Sequence, residues 1–183
     1  MEGVEQPPAG KYAFDKSHTE VGFVARHMLS RVRGRFTRFD GQIVIAERPE
    51  DSDVEVQIEA ASIETDQQMR DDHLKSPDFL DVERFPKLTF TSTEVRLTGG
   101  NTLQLVGDLT INDITRRVVL DAEFNGSGPG LHGGSFAALS ATAELEREDW
   151  DMTWNVAVET GGLLVGKTVR IEIEVEALLS EDQ

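Results

Sequence analysis

Apolar residues recur at every second position through most of this chain. The last such run is the most regular, because Val169, Ile171, Ile173, Val175 and Ala177 alternate with charged side chains. Alternation with a period of two is typical of a β-strand that has one buried and one exposed face. The pattern predicts about eight or nine strands, which begin near positions 21, 32, 42, 54, 88, 103, 118, 139 and 169.

One long stretch, residues 65–81, lacks this alternation. Thr65 or Asp66 can accept the first free N–H groups of a helix that runs through Lys75. The pair Ser76–Pro77 is a typical start for a second helical turn. The stretch therefore predicts two short helices placed between strands.

Met69 and His73 lie four positions apart in this stretch, with Asp72 beside them. Residues with this spacing share one face of a helix. We expect that face to point at whatever the strands enclose.

Strands with a single apolar face and no intervening helices pair in antiparallel fashion, and their apolar faces must pack together. A closed barrel and a sandwich both satisfy this need. We favour the barrel, because closure removes exposed edges and an inserted helix can cover an open end. The predicted fold is all-β, an eight-stranded antiparallel barrel with a short helical lid inserted between strands.

Composition narrows the class of protein. A length of 183 residues is typical of one domain, and the absence of cysteine excludes disulfides, a thiolate nucleophile and cysteine-ligated zinc. The net charge of −16 opposes binding to nucleic acid and to anionic lipid surfaces, both of which are bound through Lys and Arg. We therefore expect no nucleic-acid partner and no stable membrane insertion.

The N-terminal sequence does not have the pattern of a signal peptide. The first ten residues are acidic and lack the apolar segment of a signal peptide, and no apolar run reaches transmembrane length. These features predict a cytoplasmic protein. The domain is expected over residues 11–178, with flexible tails at residues 1–10 and 179–183.

The interior of an eight-stranded barrel is just wide enough to be filled by side chains or to hold one small ligand. The chain offers small residues as well as large aromatic ones on its apolar strand faces. Residue type alone favours a filled core over a lined tunnel. If the interior is a tunnel, the predicted ligand-binding residues are Phe23, Ala25, His27, Phe36, Met69, Asp72, His73, Phe79, Leu80, Phe90, Gly107, Leu109 and Trp150.

A basic cluster stands out in this acidic chain: Arg26, Arg31, Arg33, Arg35 and Arg38. These guanidinium groups can bind the paired oxygens of a phosphate or quinone head group at the barrel mouth. They can equally form a solvated outer strand face that pairs with nearby acids. We favour the outer face.

His18, His27, Asp72 and His73 are the candidates for chemistry, since histidines with a carboxylate can bind a metal ion. Their spacing matches no known ligand motif. We favour structural hydrogen bonding over contact with a ligand head group, and head-group contact over metal binding. The chain also lacks G-x-S-x-G, so we expect no enzyme, no catalytic residues and no cofactor other than a bound ligand.

Several short motifs spread along the chain point to a known family. Taken together they resemble the YceI-like family of polyisoprenoid-binding proteins, and the resemblance runs from about Tyr12 to Leu178. Asp113, Asp151 and Lys167 depart from the family pattern. The motifs are Tyr12–Asp15, Ser17–Thr19, Phe23, His27, Val32–Phe36, Arg70–Leu74, Asp78–Asp81, Phe85–Pro86, Phe90–Thr93 and Val106–Ile111.

The resemblance implies an extended lipocalin-like barrel that holds a long isoprenoid, such as a quinone tail or a polyprenyl phosphate, in an apolar tunnel. We therefore expect a protein that sequesters or transports an isoprenoid lipid. His27, Asp72 and His73 would position the Met69–Leu80 lid or the head group.

Two alternatives remain. One is a ligand-free stress or interaction protein with a filled barrel. The other is a metal-dependent enzyme that uses the histidines. We also expect a homodimer, because a second copy would bury the apolar surface at an exposed mouth of the barrel.

Overall fold

The computed structural model describes residues 6–130, 133–159 and 162–180, so parts of both predicted tails lie outside the described residues. The described chain is mostly β-sheet, with one α-helix, α1, at Gln68–Lys75. No helix in these ranges is long and apolar enough to cross a membrane. The strands are β1 Gly10–Phe14, β2 Glu20–His27, β3 Ser30–Phe36, β4 Phe39–Ile45, β5 Asp53–Glu59, β6 Ile63–Glu64, β7 Lys87–Gly99, β8 Thr102–Ile111, β9 Ile114–Pro129, β10 Ser135–Glu146 and β11 Val165–Leu179.

These segments close into an eight-stranded antiparallel barrel. The first three barrel strands are each split in two: β1 with β2, β3 with β4, and β5 with β6. Both β1 and β2 pair with β11 on one side, and with β4 and β3 on the other. The pairing of β1 with β11 closes the ring. The predicted all-β, eight-stranded barrel with a helical insertion is therefore confirmed.

The β8–β9 hairpin shows how local sequence sets the register. Asn112 and Asp113 both adopt positive φ values, 53° and 57°, as the two central residues of a tight hairpin turn. This turn pairs Ile111 with Ile114 and continues through Leu105 opposite Leu120. Because side chains alternate along a strand, the register directs the apolar set of both strands to the barrel interior.

Helix α1 begins later than predicted. Gln67 is its N-cap, and the Gln67 side chain accepts a hydrogen bond of 2.6 Å from the Arg70 N–H. The predicted caps, Thr65 and Asp66, are wrong. The helix ends at Lys75 as expected, but turns rather than a second helix follow Ser76.

Thr65 has a different role, as the anchor of the lid. The Asp71 carboxylate is buried and accepts bonds from the Thr65 N–H (2.8 Å) and the Thr65 hydroxyl (2.5 Å). The Arg70 guanidinium donates to the Thr65 hydroxyl and carbonyl oxygens, both at 2.7 Å. These four bonds fix the start of α1 to the strand end before it.

The apolar core forms two clusters inside the barrel. One lies near the lid and contains Leu80, Phe90, Leu120 and Trp150. The other lies near the chain ends, and its buried aromatic members are Tyr12, Phe14, Phe39 and Phe124. Residues from both clusters line one cavity.

Candidate functional site

The barrel encloses an apolar cavity of about 360 Å³. This volume lies within the range of roughly 300–1,000 Å³ that is usual for ligand pockets. Within the described chain, the polar side chains in its wall are Gln6, Ser52, Asn101, Thr102 and Arg147. Aliphatic and aromatic side chains from nearly every strand form the rest of the wall.

The cavity is elongated along the barrel. On β7 the wall runs from Leu88 to Leu97, which is roughly 30 Å of strand at about 3.3 Å per residue. A strand tilt of about 40° reduces this to a length of roughly 20–25 Å along the barrel axis. Leu74, Phe79 and Leu80 of the lid line one end, and residues 100–102 line the other.

Most of the predicted ligand-binding residues lie in this wall. For the five that lie on strands, the inward direction follows from the alternation that defined those strands. Whether they contact a ligand stays a prediction. The wall residues among them are Phe23, Ala25, Phe36, Phe79, Leu80, Phe90, Leu109 and Trp150.

Gly107 is not part of the wall, contrary to expectation. The Phe90 ring packs over it, so that a Cβ added to Gly107 would lie 2.5 Å from the ring and 2.6 Å from the Thr91 carbonyl oxygen. The same arrangement places the Phe23 ring over Gly34. The glycine therefore makes room for an aromatic side chain from the neighbouring strand rather than for a ligand.

The prediction that the Met69 face of α1 points into the barrel is also wrong. The Met69 side chain is 79% exposed, and Asp72 is exposed with its carboxylate accepting from the Gln68 amide at 2.7 Å. Leu74 is the helix residue that lines the cavity. The helix is oriented by its buried Asp71 anchor, which the spacing of Met69 and His73 does not reveal.

His73 has structural contacts within the lid. Its Nε2 lies 2.8 Å from Asp78 Oδ2, and its ring packs edge-on against Trp154 (4.5 Å between ring centroids) and Phe79 (5.1 Å). This is the hydrogen-bonding role that the sequence favours for the histidine. Phe79 in turn lines the cavity, so His73 supports the wall from behind.

The four residues of the predicted metal set do not come together. His27 is at the end of β2, opposite Ser30 and Val165 and outside the cavity wall. Among the residues described, the one group of three possible ligands within 4.8 Å of one another is Asp15, His18 and Glu176. A single metal site built from His18, His27, Asp72 and His73 is therefore excluded by their placement.

Asp15 and His18 form an ion pair where β1 ends, with His18 Nδ1 2.9 Å from Asp15 Oδ2. Hydrogen bonds from the Ser17 hydroxyl, His18 and the Ser17 N–H hold the pKa of Asp15 at about 2. The hydrogen bond and the charge of Asp15, with a smaller contribution from Glu176, raise the pKa of His18 above 6.5. This group links the β1–β2 break to β11.

Asp15→Asn is expected to lower the pKa of His18 towards 6.5, because the substitution removes the charge that stabilises the imidazolium. In the native protein, the stabilisation that comes from the raised pKa of His18 is fully present below pH 6.5, and it is lost as the pH rises through that raised pKa. The Asp15 contribution is full above pH 3.8 and is lost as the pH falls towards about 2. NMR titration of the His18 ring protons in the native protein and in Asp15→Asn measures the change in the His18 pKa. Asp40→Asn, which removes another surface carboxylate, is the control and should leave the His18 pKa unchanged; an unshifted pKa in Asp15→Asn contradicts the assignment.

Three arginines of the basic cluster, Arg33, Arg35 and Arg38, form ion pairs on the outer surface, as the sequence favours. Arg33 Nη1 lies 2.8 Å from Glu172 Oε2, and Arg35 Nη2 lies 3.2 Å from Glu64 Oε2. Both arginines are substantially exposed. Exposed pairs of this kind contribute little to stability, and these two do not lie in the cavity wall.

Sequence reasoning missed Arg147, which is 4% exposed and lies in the cavity wall. Its guanidinium donates to the carbonyl oxygens of Gly166 (2.8 Å), Met152 and Val165 (3.5 Å). Burial lowers the pKa of Arg147, and the charge of Glu148 opposes this effect. The sequence does carry a signal for its inward direction, because Arg147 continues the period-two alternation of the inward-facing residues Leu139, Ala141, Ala143 and Leu145.

Comparison with known proteins places this geometry in a family. The YceI-like domain matches residues 12–177. A UPF0312 protein from Ectopseudomonas mendocina (strain ymp) is 36% identical over 177 residues, which cover 94% of this chain and 90% of that protein.

Solved structures share the same fold. The Campylobacter jejuni YCEI protein superposes with a TM-score of 0.74 at 30% identity, covering 91% of this chain and 96% of that one. A Saccharophagus degradans domain described as polyisoprenoid-binding has a TM-score of 0.68 at 11% identity, and the match covers 94% and 100%. The second likeness concerns the fold alone. By the match over residues 12–177 and the identity to its relatives, the chain belongs to the YceI-like family.

Proposed function

We propose that the barrel binds the isoprenoid tail of a lipid, such as a quinone or a polyprenyl phosphate, and sequesters or transports it. The observation that carries the proposal is the elongated apolar cavity of about 360 Å³. The polyisoprenoid-binding domain of Saccharophagus degradans, which has the same fold, is consistent with this use of the barrel.

The energetics of such binding favour a long apolar tail. Each buried CH₂ contributes ~0.8 kcal/mol, so an isoprene unit of five carbons contributes up to about 4 kcal/mol before the cost of ordering the chain. Several units would bind tightly without any polar contact. The apolar wall supplies this kind of contact along most of its length.

The composition of the wall also bears on the alternatives. No His, Asp, Glu or Lys of the described ranges lines the cavity, so the groups that most often carry acid–base catalysis are absent from that part of the wall. This favours binding over catalysis. The volume of the cavity favours a ligand over a filled barrel. A homodimer stays a prediction, which analytical ultracentrifugation of the purified protein would test.

Tryptophan fluorescence gives a direct test with a quinone. Trp150 lies in the cavity wall, and Trp154 packs against Phe79, which also lines the wall. A quinone with a tail of several isoprene units should quench this fluorescence to saturation at one per chain. The head group alone, without a tail, is the control and should quench only by weak collisions. Equal quenching by both compounds would argue against binding in the cavity.

His73→Ala is expected to speed the exchange of bound lipid by several-fold, because the substitution removes the contacts that hold Phe79 and Trp154 in place. Transfer of the quinone from the protein to lipid vesicles, followed by recovery of tryptophan fluorescence, measures the rate. His18→Ala is the matched control, since His18 pairs with Asp15 and is absent from the lid and the cavity wall. An exchange rate equal to that of the native protein would remove the assigned role of His73.

A further inference from the structure

Arg147 is the one charged side chain in the cavity wall among residues 6–130, 133–159 and 162–180. It is the first residue of the 3₁₀ helix Arg147–Trp150, which follows β10 directly. Only 4% of its surface is exposed. A long cationic side chain is thus held inside an apolar barrel next to the lid residue Phe79, whose ring centroid lies 5.9 Å from the guanidinium carbon.

The charge of Arg147 is not neutralised by the described protein. No described carboxylate lies within ion-pair distance of it, and its neighbour Glu148 is bonded instead to Lys167 at 3.1 Å. Its nitrogens donate to backbone carbonyl oxygens only. A buried cation that lacks a counter-charge is costly, so the site is electrostatically complementary to an anion.

The guanidinium also has donors to spare. Arginine carries five N–H groups, and the bonds to Gly166, Met152 and Val165 use three of them. The bond from Nη2 to the Val165 carbonyl is 3.5 Å long, beyond the usual N–H···O range. At least two N–H groups, one on each Nη, therefore have no acceptor among the described residues, and a bidentate contact to a phosphate or carboxylate requires two.

We propose that Arg147 binds the anionic oxygens of a lipid head group whose isoprenoid tail fills the cavity. This inference rests on the proposed function. The ligand class is then an acidic prenyl lipid, a phosphate or a carboxylate, rather than a neutral quinone. The head group lies at the lid end, and the tail extends towards residues 100–102. Selectivity, which an apolar wall cannot supply by itself, comes from this one cation.

The test uses three ligands with the same twenty-carbon tail: geranylgeranyl phosphate, geranylgeranoic acid and geranylgeraniol. Their affinities are measured by calorimetry on the native protein, on Arg147→Met and on Arg33→Met. Methionine keeps much of the side-chain length and packing without the charge. Arg33→Met is the matched control, because it removes an arginine from the outer face.

We expect the native protein to bind at least one anionic ligand tenfold or more tighter than the alcohol, and the tighter anion identifies the head group. In Arg147→Met the anion should bind no more tightly than the alcohol, whose own affinity stays the same. Arg33→Met should behave like the native protein.

Equal affinity for all three ligands in the native protein, or a preference that survives in Arg147→Met, overturns the role of Arg147 while leaving isoprenoid binding in place. Binding of none of the three overturns the proposed function as well. Circular dichroism shows whether Arg147→Met is folded. If it is not, the comparison of ligands on the native protein decides.

Discussion

Ala141→Phe is expected to abolish most isoprenoid binding while the barrel stays folded. Ala141 lies on β10 with its side chain in the cavity wall, between Ala122 on β9 and Ile173 on β11. A benzyl group at this position occupies the space of about one isoprene unit. Loss of that unit costs up to about 4 kcal/mol, which corresponds to a decrease in affinity of up to roughly a thousandfold.

Calorimetric titration with a prenyl lipid measures this loss, and circular dichroism checks the fold. The matched control is Thr142→Phe, which places the same ring one residue further along β10, on the outer face between Asp121 and Glu172. Thr142→Phe should bind like the native protein. Native affinity in a folded Ala141→Phe would show that the lipid does not pass this point of the cavity.

Trp150→Ala is expected to destabilise the protein by about 3–5 kcal/mol, the usual cost of removing a large buried aromatic side chain. Trp150 is only 2% exposed and belongs to the core cluster near the lid. Its indole Nε1 donates to the Leu109 carbonyl at 3.3 Å, so the substitution also leaves that acceptor without this donor. Urea unfolding followed by circular dichroism measures the free energy.

Trp154→Ala is the natural comparison for this experiment. Trp154 is partly exposed, and its ring packs on His73 and Phe79. We expect a loss of about 1–2 kcal/mol, since less apolar surface is buried there. Equal losses for the two tryptophans would contradict the placement of Trp150 in the buried core and of Trp154 at its partly exposed edge.

The barrel itself was predictable because its signals are local. Period-two alternation identifies the long strands, and the Asn112–Asp113 pair marks a tight hairpin turn. Strand β6 was missed because two residues cannot show a period, and β1 was missed because only Tyr12 and Phe14 mark the alternation in it. That β1 and β2 share one barrel strand is also not local information, since it depends on how both pair with β11.

The candidate site was predictable only where side-chain direction follows from the strand period. Phe23, Phe90 and Leu109 belong to this class. Gly107 was misassigned because its inward space is filled by the ring of Phe90 from the neighbouring strand, a contact that depends on pairing. The burial of Arg147 could not be predicted for another reason: a charged residue is usually solvated, so a position in phase with apolar residues does not by itself indicate burial.

The inner face of α1 could not be deduced from helical spacing alone. Met69 and His73 share a face by sequence, but the buried Asp71–Thr65 hydrogen bonds set the rotation of the helix. That rotation exposes Met69 and brings Leu74 to the cavity. A polar anchor of this kind overrides a weak apolar pattern, because a buried carboxylate must be satisfied.

Native mass spectrometry of the gently purified protein, followed by organic extraction, tests the central claim most directly. We expect a bound prenyl lipid at close to one per chain, and extraction should release a species that can be identified by its mass. A protein that is folded and ligand-free, and that stays ligand-free after incubation with prenyl phosphates and prenyl quinones, would contradict isoprenoid binding in the cavity.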